Sequence, residues 1–146
     1  MKVYLDNCSL QRPLDDKEQL RIVLEAEAIL GVITLSQQAI VELVHSDALR
    51  YEIRQTPHPQ RKAFATEVLR QTTTYVSFTP ALIVRARVLE QGGIKPLDAL
   101  HVASAEAANA AYFCTCDDRL LKRLLARTDL QVTVVTPLDL IQRVLP

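Results

Sequence analysis

Residues 111–137 read AYFCTCDDRLLKRLLARTDLQVTVVTP and contain a complete strand–helix–strand unit. A β-prone run at 111–116 is followed by a helical pattern at 118–127 and by a second β-prone run at 131–135. Thr136 then provides a helix N-cap, and Pro137 suits the first helical position, which predicts a further helix. Two strands joined by a helix predict a parallel pair, because parallel strands need a long crossover connection.

The same alternation of strands and helices extends back to the amino terminus, without an internal repeat or a linker. It predicts one domain over residues 1–146, with a three-layer α/β/α fold around a parallel sheet of about five strands. Gly31 is expected to end the first long helix. Further strands are predicted at 3–5, 32–35 and 72–78, and helices at 16–30, from the cap Ser36 to 53, at 60–71, from Pro80 to Gly92, and from Pro96 to 109.

Composition restricts the class of protein. The chain has 146 residues, 49% of them hydrophobic, with 17 basic and 17 acidic side chains and three cysteines. These values exclude a disordered, collagen-like or disulfide-stapled chain and a membrane span. The early acid Asp6 argues against a signal peptide, and few cysteines suit a reducing compartment, so a cytoplasmic protein is expected. The balanced charge argues against indiscriminate duplex binding and leaves a nucleic-acid enzyme open.

Four acids are expected at the edge of the sheet where ligands of parallel α/β proteins bind, beyond the carboxyl ends of the strands. Asp6 and Asp117 each follow a β-prone run, Asp98 lies in the first turn of the helix that Pro96 opens, and Glu42 interrupts the apolar segment 39–44. Each acid alone has an ordinary explanation as a helix cap, a turn residue or part of a solvated helix edge. One shared site explains all four positions.

Clustered carboxylates favour one kind of chemistry. They raise one another's pKa and cannot all stay ionised unaided, whereas a hard divalent cation relieves the repulsion. Mg²⁺ and Mn²⁺ prefer oxygen ligands and can assist an in-line displacement at phosphorus. The acids therefore predict a metal-dependent phosphodiester hydrolase.

At these residues the sequence resembles the PIN-domain family, over residues 3–137. The similarity is strongest in VYLDN at 3–7, PLDALHVA at 96–103 and TCDDRL at 115–120. This resemblance implies a five-stranded parallel sheet and a Mg²⁺-dependent ribonuclease that leaves 5′-phosphate and 3′-hydroxyl ends. It also implies a homodimer and, as in many small members, an antitoxin partner. The implied metal and catalytic residues are Asp6, Glu42, Asp98 and Asp117.

Three residues beside these acids are candidates for supporting them. Asn7 stands where many family members carry serine or threonine, and its amide can hold a water or a neighbouring carboxylate. Asp118 competes with Asp117 for the fourth acid position, and Asp117 is preferred because Asp118 would begin the following helix. Thr115 is a candidate partner of the metal site, or an ordinary strand threonine.

Basic residues near the motifs are candidates for binding RNA phosphates. Arg119, Arg123 and Arg127 lie four residues apart and share one helical face, although a solvated face is the plainer interpretation. Arg12 and Lys95, each close to a motif acid, are weaker candidates. Aromatic residues make up only 5% of the chain, so the sequence offers no argument for base recognition.

Two other site types are weighed against the metal nuclease. Cys114 and Cys116, with Cys8 or His101, suggest zinc, but two close thiols without a second pair fit core residues better. An aspartyl-phosphate phosphatase would use Asp6, yet that chemistry usually needs an acid where Cys8 stands. With three glycines and no glycine-rich loop, a nucleotide cofactor is not expected.

We therefore predict a Mg²⁺- or Mn²⁺-dependent endoribonuclease that cleaves single-stranded or loop RNA and acts in the cytoplasm. It would be the toxin of a toxin–antitoxin pair, active once its partner is removed. A catalytically silent RNA-binding protein of the same fold is the main alternative.

Overall fold

The computed structural model describes residues 1–146 as five parallel strands and eight α-helices in a three-layer α/β/α arrangement. The strands are β1 (Lys2–Leu5), β2 (Glu42–Ser46), β3 (Thr74–Val76), β4 (Tyr112–Cys114) and β5 (Thr133–Val135). A short 3-10 turn spans Arg12–Leu14. The α-helices are α1 (Asn7–Gln11), α2 (Leu20–Gln37), α3 (Asp47–Arg54), α4 (Pro59–Leu69), α5 (Pro80–Gln91), α6 (Pro96–Ala107), α7 (Asp118–Leu125) and α8 (Pro137–Val144).

The sheet has the strand order β3-β2-β1-β4-β5. The chain builds outward from β1 through β2 to β3, then crosses to the other side of β1 for β4 and β5. The strand order therefore reverses between β1 and β4, where Leu5 pairs with Cys114. The central strand β1 is buried at Val3, Tyr4 and Leu5, as expected for a parallel strand covered by helices on both faces. The predicted fold class is confirmed.

The prediction between residues 31 and 53 is wrong. Gly31 does not end a helix: α2 continues through it to Gln37, so the strand predicted at 32–35 is helical. A Cβ on Gly31 would lie 3.0 Å from Cδ1 of Ile141, so glycine at this position lets α8 pack closely on α2. Val32 and Ile33 are buried there as part of a helix face.

The helix predicted from Ser36 is replaced by a turn and the strand β2. The turn contains Ala39 in the left-handed backbone region, with φ of 61°. Val41, Leu43 and Val44 are then buried along the strand. Helical structure resumes only after Ser46, whose side chain accepts a hydrogen bond from the backbone N–H of Leu49 and caps α3.

The helix α1 and the 3-10 turn are not predicted from the sequence, whereas the remaining elements agree with it to within a few residues. Thr79 and Thr136 cap α5 and α8 through their hydroxyl groups, with proline following each. The helix α6 begins at Pro96, and α7 follows β4 as predicted. No helix in the chain combines the length and the apolar character needed to cross a membrane.

Candidate active site

Asp6 lies directly after β1, at the carboxyl edge of the sheet and beside the point where the strand order reverses. Its side chain is 4% exposed, and its Oδ1 accepts hydrogen bonds from Ser9 N at 3.0 Å and from Cys8 Sγ at 3.1 Å. Burial raises the pKa of Asp6, and hydrogen bonds from Thr115, Cys8 and Ser9 offset this only in part. Asp6 therefore caps α1 and is also a carboxylate that would gain from a nearby positive charge.

Asp117 follows β4 and reaches the same edge from the neighbouring strand. Its Oδ1 caps α7 by accepting from Arg119 N at 2.9 Å and from Leu120 N at 3.2 Å. Both capping bonds use Oδ1, so Oδ2 stays available to a ligand. The hydroxyl of Thr115 accepts from Asp117 N at 3.1 Å and fixes the turn. Asp117 therefore caps α7 with one carboxylate oxygen and leaves the other without a capping bond.

Asp98 lies in the first turn of α6 and is half-buried. Burial raises its pKa, and the negative charges of Asp6, Asp117 and Glu52 raise it further. This mutual repulsion places Asp98 within electrostatic reach of the acids that follow β1 and β4. Asp6, Asp98 and Asp117 thus lie at the same edge of the sheet, close enough for the charges of Asp6 and Asp117 to act on Asp98.

Asp118 is held away from this group. Arg21, on α2, donates to both of its carboxylate oxygens, at 2.7 and 2.8 Å. This hydrogen-bonded pairing holds the pKa of Asp118 below its usual value. Both oxygens of Asp118 are thus occupied by Arg21, whereas Asp117 uses only Oδ1 in its capping bonds.

Glu42 lies at the opposite edge of the sheet, and the prediction that groups it with the other acids is wrong. It is the first residue of β2 and pairs with Lys2 at the start of β1, whereas Asp6 follows the end of β1. Its Oε1 accepts hydrogen bonds from the hydroxyls of Thr73 and Thr74, which lower its pKa. The error follows from reading the strand 42–46 as part of a helix.

Glu52, on α3, is the acid that the sequence analysis missed. Its Oε1 lies 2.6 Å from Nε2 of His101, and its Oε2 accepts from Nδ2 of Asn7 at 3.2 Å. Burial acts to raise the pKa of Glu52, but the hydrogen bonds from His101 and Asn7 outweigh it and the pKa is lowered. A signal was present, since Ser46 caps a helix whose buried face holds Leu49 and Ile53, and Glu52 lies beside that face.

A buried chain of hydrogen bonds fixes the ring of His101. Tyr4 Oη lies 2.6 Å from both Ser46 Oγ and His101 Nδ1. The carboxylate of Glu52 can only accept, so the proton lies on Nε2; in the neutral ring Nδ1 then accepts from Tyr4, and Tyr4 accepts in turn from Ser46. His101 thus positions Glu52 and has no nitrogen left for a metal.

Comparison with known proteins identifies the family of this chain. A sequence model of the PIN domain matches residues 3–124. The chain belongs to the PIN domain family. PIN domains are generally nucleases, and the carboxylates at this edge are in keeping with that activity.

One solved structure shares the fold of this PIN domain. The crystal structure of VapBC2 from Rickettsia felis bound to a DNA fragment from their promoter has a TM-score of 0.55 and 15% sequence identity. The similarity covers 93% of this chain and 98% of that chain. No protein with a curated description matches the chain in sequence.

The donor set of the PIN site suits a hard cation. Oxygen atoms, which Mg²⁺ and Mn²⁺ prefer, are offered by five residues at this edge: Asp6, Asn7, Glu52, Asp98 and Asp117. Raised pKa values at Asp6 and Asp98 are what a bound cation would reverse. In the side-chain positions described, no three histidine, cysteine or acidic residues converge on one point. The residues fit a divalent cation by their chemistry and by their location at one edge of the sheet.

The basic residues predicted to bind substrate fall into two groups. Arg12 forms ion pairs with Glu25, at 2.8 Å, and with Asp15, at 2.9 Å, and so links the 3-10 turn to α2. Arg123 donates to the backbone carbonyl of Gly93. Lys95 and Arg119 are exposed and make no ion pair, and each is within three residues of a site acid. These two remain candidates for contacting phosphates.

The three cysteines lie in different surroundings. Cys114 is fully buried in the core, Cys116 is 8% exposed, and Cys8 lies at the surface beside Asp6. All three thiols are free. The core interpretation therefore holds for Cys114, while Cys8 and Cys116 flank the acidic cluster.

Proposed function

We propose that this PIN domain is a Mg²⁺- or Mn²⁺-dependent endoribonuclease that hydrolyses phosphodiester bonds in single-stranded or loop RNA. The observation that carries the proposal is the location of four carboxylates at the carboxyl edge of the sheet, where burial and the neighbouring negative charges raise the pKa of Asp98. Such a cluster is costly without a cation, and its oxygen donors match Mg²⁺ and Mn²⁺. The cluster consists of Asp6, Glu52, Asp98 and Asp117.

Each residue of the site has a role in this proposal. The four carboxylates would hold the cation, which when bound supplies positive charge that makes a water more acidic and neutralises charge on the phosphate. His101 and Asn7 hold the Glu52 carboxylate in place from two sides. Lys95 and Arg119 would bind RNA phosphates on either side of the scissile bond.

The test is cleavage of a mixed single-stranded RNA in the presence of Mg²⁺, Mn²⁺ or EDTA. Asp98→Asn and Glu52→Gln remove ligand charge at constant volume and should lower the rate by about 100-fold or more, the scale of losing one electrostatic contact to the transition state. Glu42→Gln is the matched control, because the same chemical change is made at the far edge of the sheet. It should cleave at the wild-type rate.

The possible outcomes separate the alternatives. Wild-type activity in Asp98→Asn would overturn the assigned site, and loss of activity in Glu42→Gln would restore the acid predicted from sequence. A folded protein that binds Mn²⁺ and RNA without cutting would favour a catalytically silent RNA-binding protein. Absence of both cleavage and Mn²⁺ binding would mean that the four acids are only helix caps and solvated edge residues.

A second proposal concerns a protein partner. The fold shared with the VapBC2 assembly supports the inference that this protein is the toxin of a toxin–antitoxin pair and is held inactive by a small antitoxin. Expression together with adjacent genes should yield a complex whose nuclease activity appears only after the partner is removed. A free protein that is active at once would contradict this.

We also propose a homodimer, which the family resemblance supports. Sedimentation equilibrium of the purified protein should give twice the chain mass of 16.4 kDa. A mass equal to one chain over the accessible concentrations would refute the proposal.

A further inference from the structure

Two thiols flank the acidic cluster, one on each side of it. Cys8 is in the first turn of α1, two residues after Asp6, and Cys116 immediately precedes Asp117. Cys8 Sγ donates to Asp6 Oδ1 at 3.1 Å and lies 3.7 Å from the hydroxyl of Thr115. The two segments that carry the thiols therefore also carry two of the four acids.

The backbone holds these segments side by side. β1 and β4 are hydrogen-bonded neighbours, and the ladder continues past the strand ends through Asp6 N donating to the carbonyl of Cys114 at 3.1 Å. Ser9 Oγ lies 3.5 Å from Cys116 Sγ, so the residue next to Cys8 already contacts the second sulfur. Two contacts therefore join the segment that carries Cys8 to the segment that carries Cys116, one from Cys8 to Thr115 and one from Ser9 to Cys116.

We propose that Cys8 and Cys116 are a redox modification site, at which a peroxide forms a disulfide and a dithiol reduces it, and that the disulfide weakens the neighbouring cation site. The regulatory part of this proposal rests on the proposed nuclease function. The modification itself does not, because disulfide formation is measured without any substrate.

The oxidation balances with hydrogen peroxide as the oxidant. The exposed sulfur of Cys8 attacks one peroxide oxygen: an S–O bond forms, the O–O bond breaks, and the departing hydroxide leaves as water with the thiol proton. The sulfur of Cys116 then attacks Cys8: an S–S bond forms, the S–O bond breaks, and a second water leaves with the Cys116 proton. Both sulfurs are oxidised, and both peroxide oxygens are reduced to water.

The disulfide would change the site in two ways. Cys8 could no longer donate to Asp6, which is one of the hydrogen bonds that support this buried carboxylate. Bonded sulfurs also stand about 2.05 Å apart, so the first turn of α1 and the segment before Asp117 would be drawn together. A displacement of about 1 Å at reacting groups lowers rates by roughly 100-fold, which is the loss expected on oxidation.

The experiment uses the full chain, fully reduced and then treated with a small excess of hydrogen peroxide. The number of free thiols should fall from three to one, and the intact mass should fall by two hydrogens. Peptide mapping should place the bond between Cys8 and Cys116. Cys8→Ser and Cys116→Ala should each prevent it, whereas Cys114→Ala, the matched control for the third thiol, should still form it.

Mn²⁺ binding and RNA cleavage are each measured for the oxidised and for the reduced protein, and the two values are compared. Both should fall on oxidation and return with dithiothreitol. Failure to form the Cys8–Cys116 bond would overturn the inference, as would a disulfide that leaves Mn²⁺ binding unchanged. A reduced protein that never cleaves RNA would instead overturn the proposed function, because thiol counting and Mn²⁺ binding still report on the switch.

Discussion

Replacing Tyr4 by phenylalanine deletes one hydroxyl from the buried chain that runs from Ser46 to Glu52. Tyr4 is fully buried, and its Oη serves two partners at 2.6 Å, Ser46 Oγ and His101 Nδ1. Both partners are 0–1% exposed, so water does not take the place of the missing oxygen. The change keeps the ring that stacks on Phe113, with 5.6 Å between ring centroids.

The magnitude follows from the two groups left without a partner. A buried polar group that loses its hydrogen bond costs about 1–3 kcal/mol, so Tyr4→Phe, which leaves two such groups, should lower the free energy of unfolding by about 2–6 kcal/mol. For a chain of this length that corresponds to a fall in Tm of roughly 5–15 °C. Urea unfolding followed by circular dichroism measures the difference directly.

Tyr75→Phe is the matched control, because it removes a hydroxyl of the same kind from an exposed residue. Tyr75 donates to Asp47, but its side chain is 43% exposed and water can replace the bond. The expected loss is below about 1 kcal/mol. Equal effects of the two substitutions, or a Tyr4→Phe effect below about 1 kcal/mol, would refute the reasoning about the buried chain.

Three further predictions concern charge at the site. Because burial and neighbouring acids raise the pKa of Asp98, its charged form destabilises the metal-free fold. Asp98→Asn should therefore raise Tm in EDTA at neutral pH. This gain in Tm should shrink as pH falls through the raised pKa toward the ordinary pKa of 3.8. A gain in Tm that does not depend on pH would contradict this. Mn²⁺ at 1,000 times its Kd should stabilise the wild-type protein by about 4 kcal/mol and so raise its Tm, which differential scanning fluorimetry measures. The same Mn²⁺ concentration should raise the Tm of Asp98→Asn by less. Asp118→Asn should barely change urea unfolding, because an exposed ion pair contributes little to stability, and should leave the cleavage rate unchanged.

Much of the site could be predicted because its signals are local in sequence. Asp6 and Asp117 each follow a short β-prone run, and Asp98 follows the proline that opens α6. In a parallel sheet such positions meet at one edge whatever the details of packing. The correct placement of these three acids therefore required only the order of the elements.

The second acid was missed because its position depends on a contact distant in sequence. Gly31 resembles a helix stop, but α8 packs against it and α2 continues through it. A glycine inside a helix and a glycine after one differ only through this tertiary contact. Once α2 is extended, residues 42–46 become a strand, Glu42 moves to the far edge, and Glu52 takes the place beside the other acids.

The contact at Gly31 also determines where this domain can be cut. The family match ends at residue 124, yet β5 and α8 lie beyond it and supply Val135, Leu140 and Val144 to the core. A fragment ending at 124 would leave the hydrogen-bonding edge of β4 unpaired and strip the cover from α2. An open, apolar strand edge favours pairing between copies. A soluble minimal domain therefore has to keep α8, and a fusion or tag belongs after that helix.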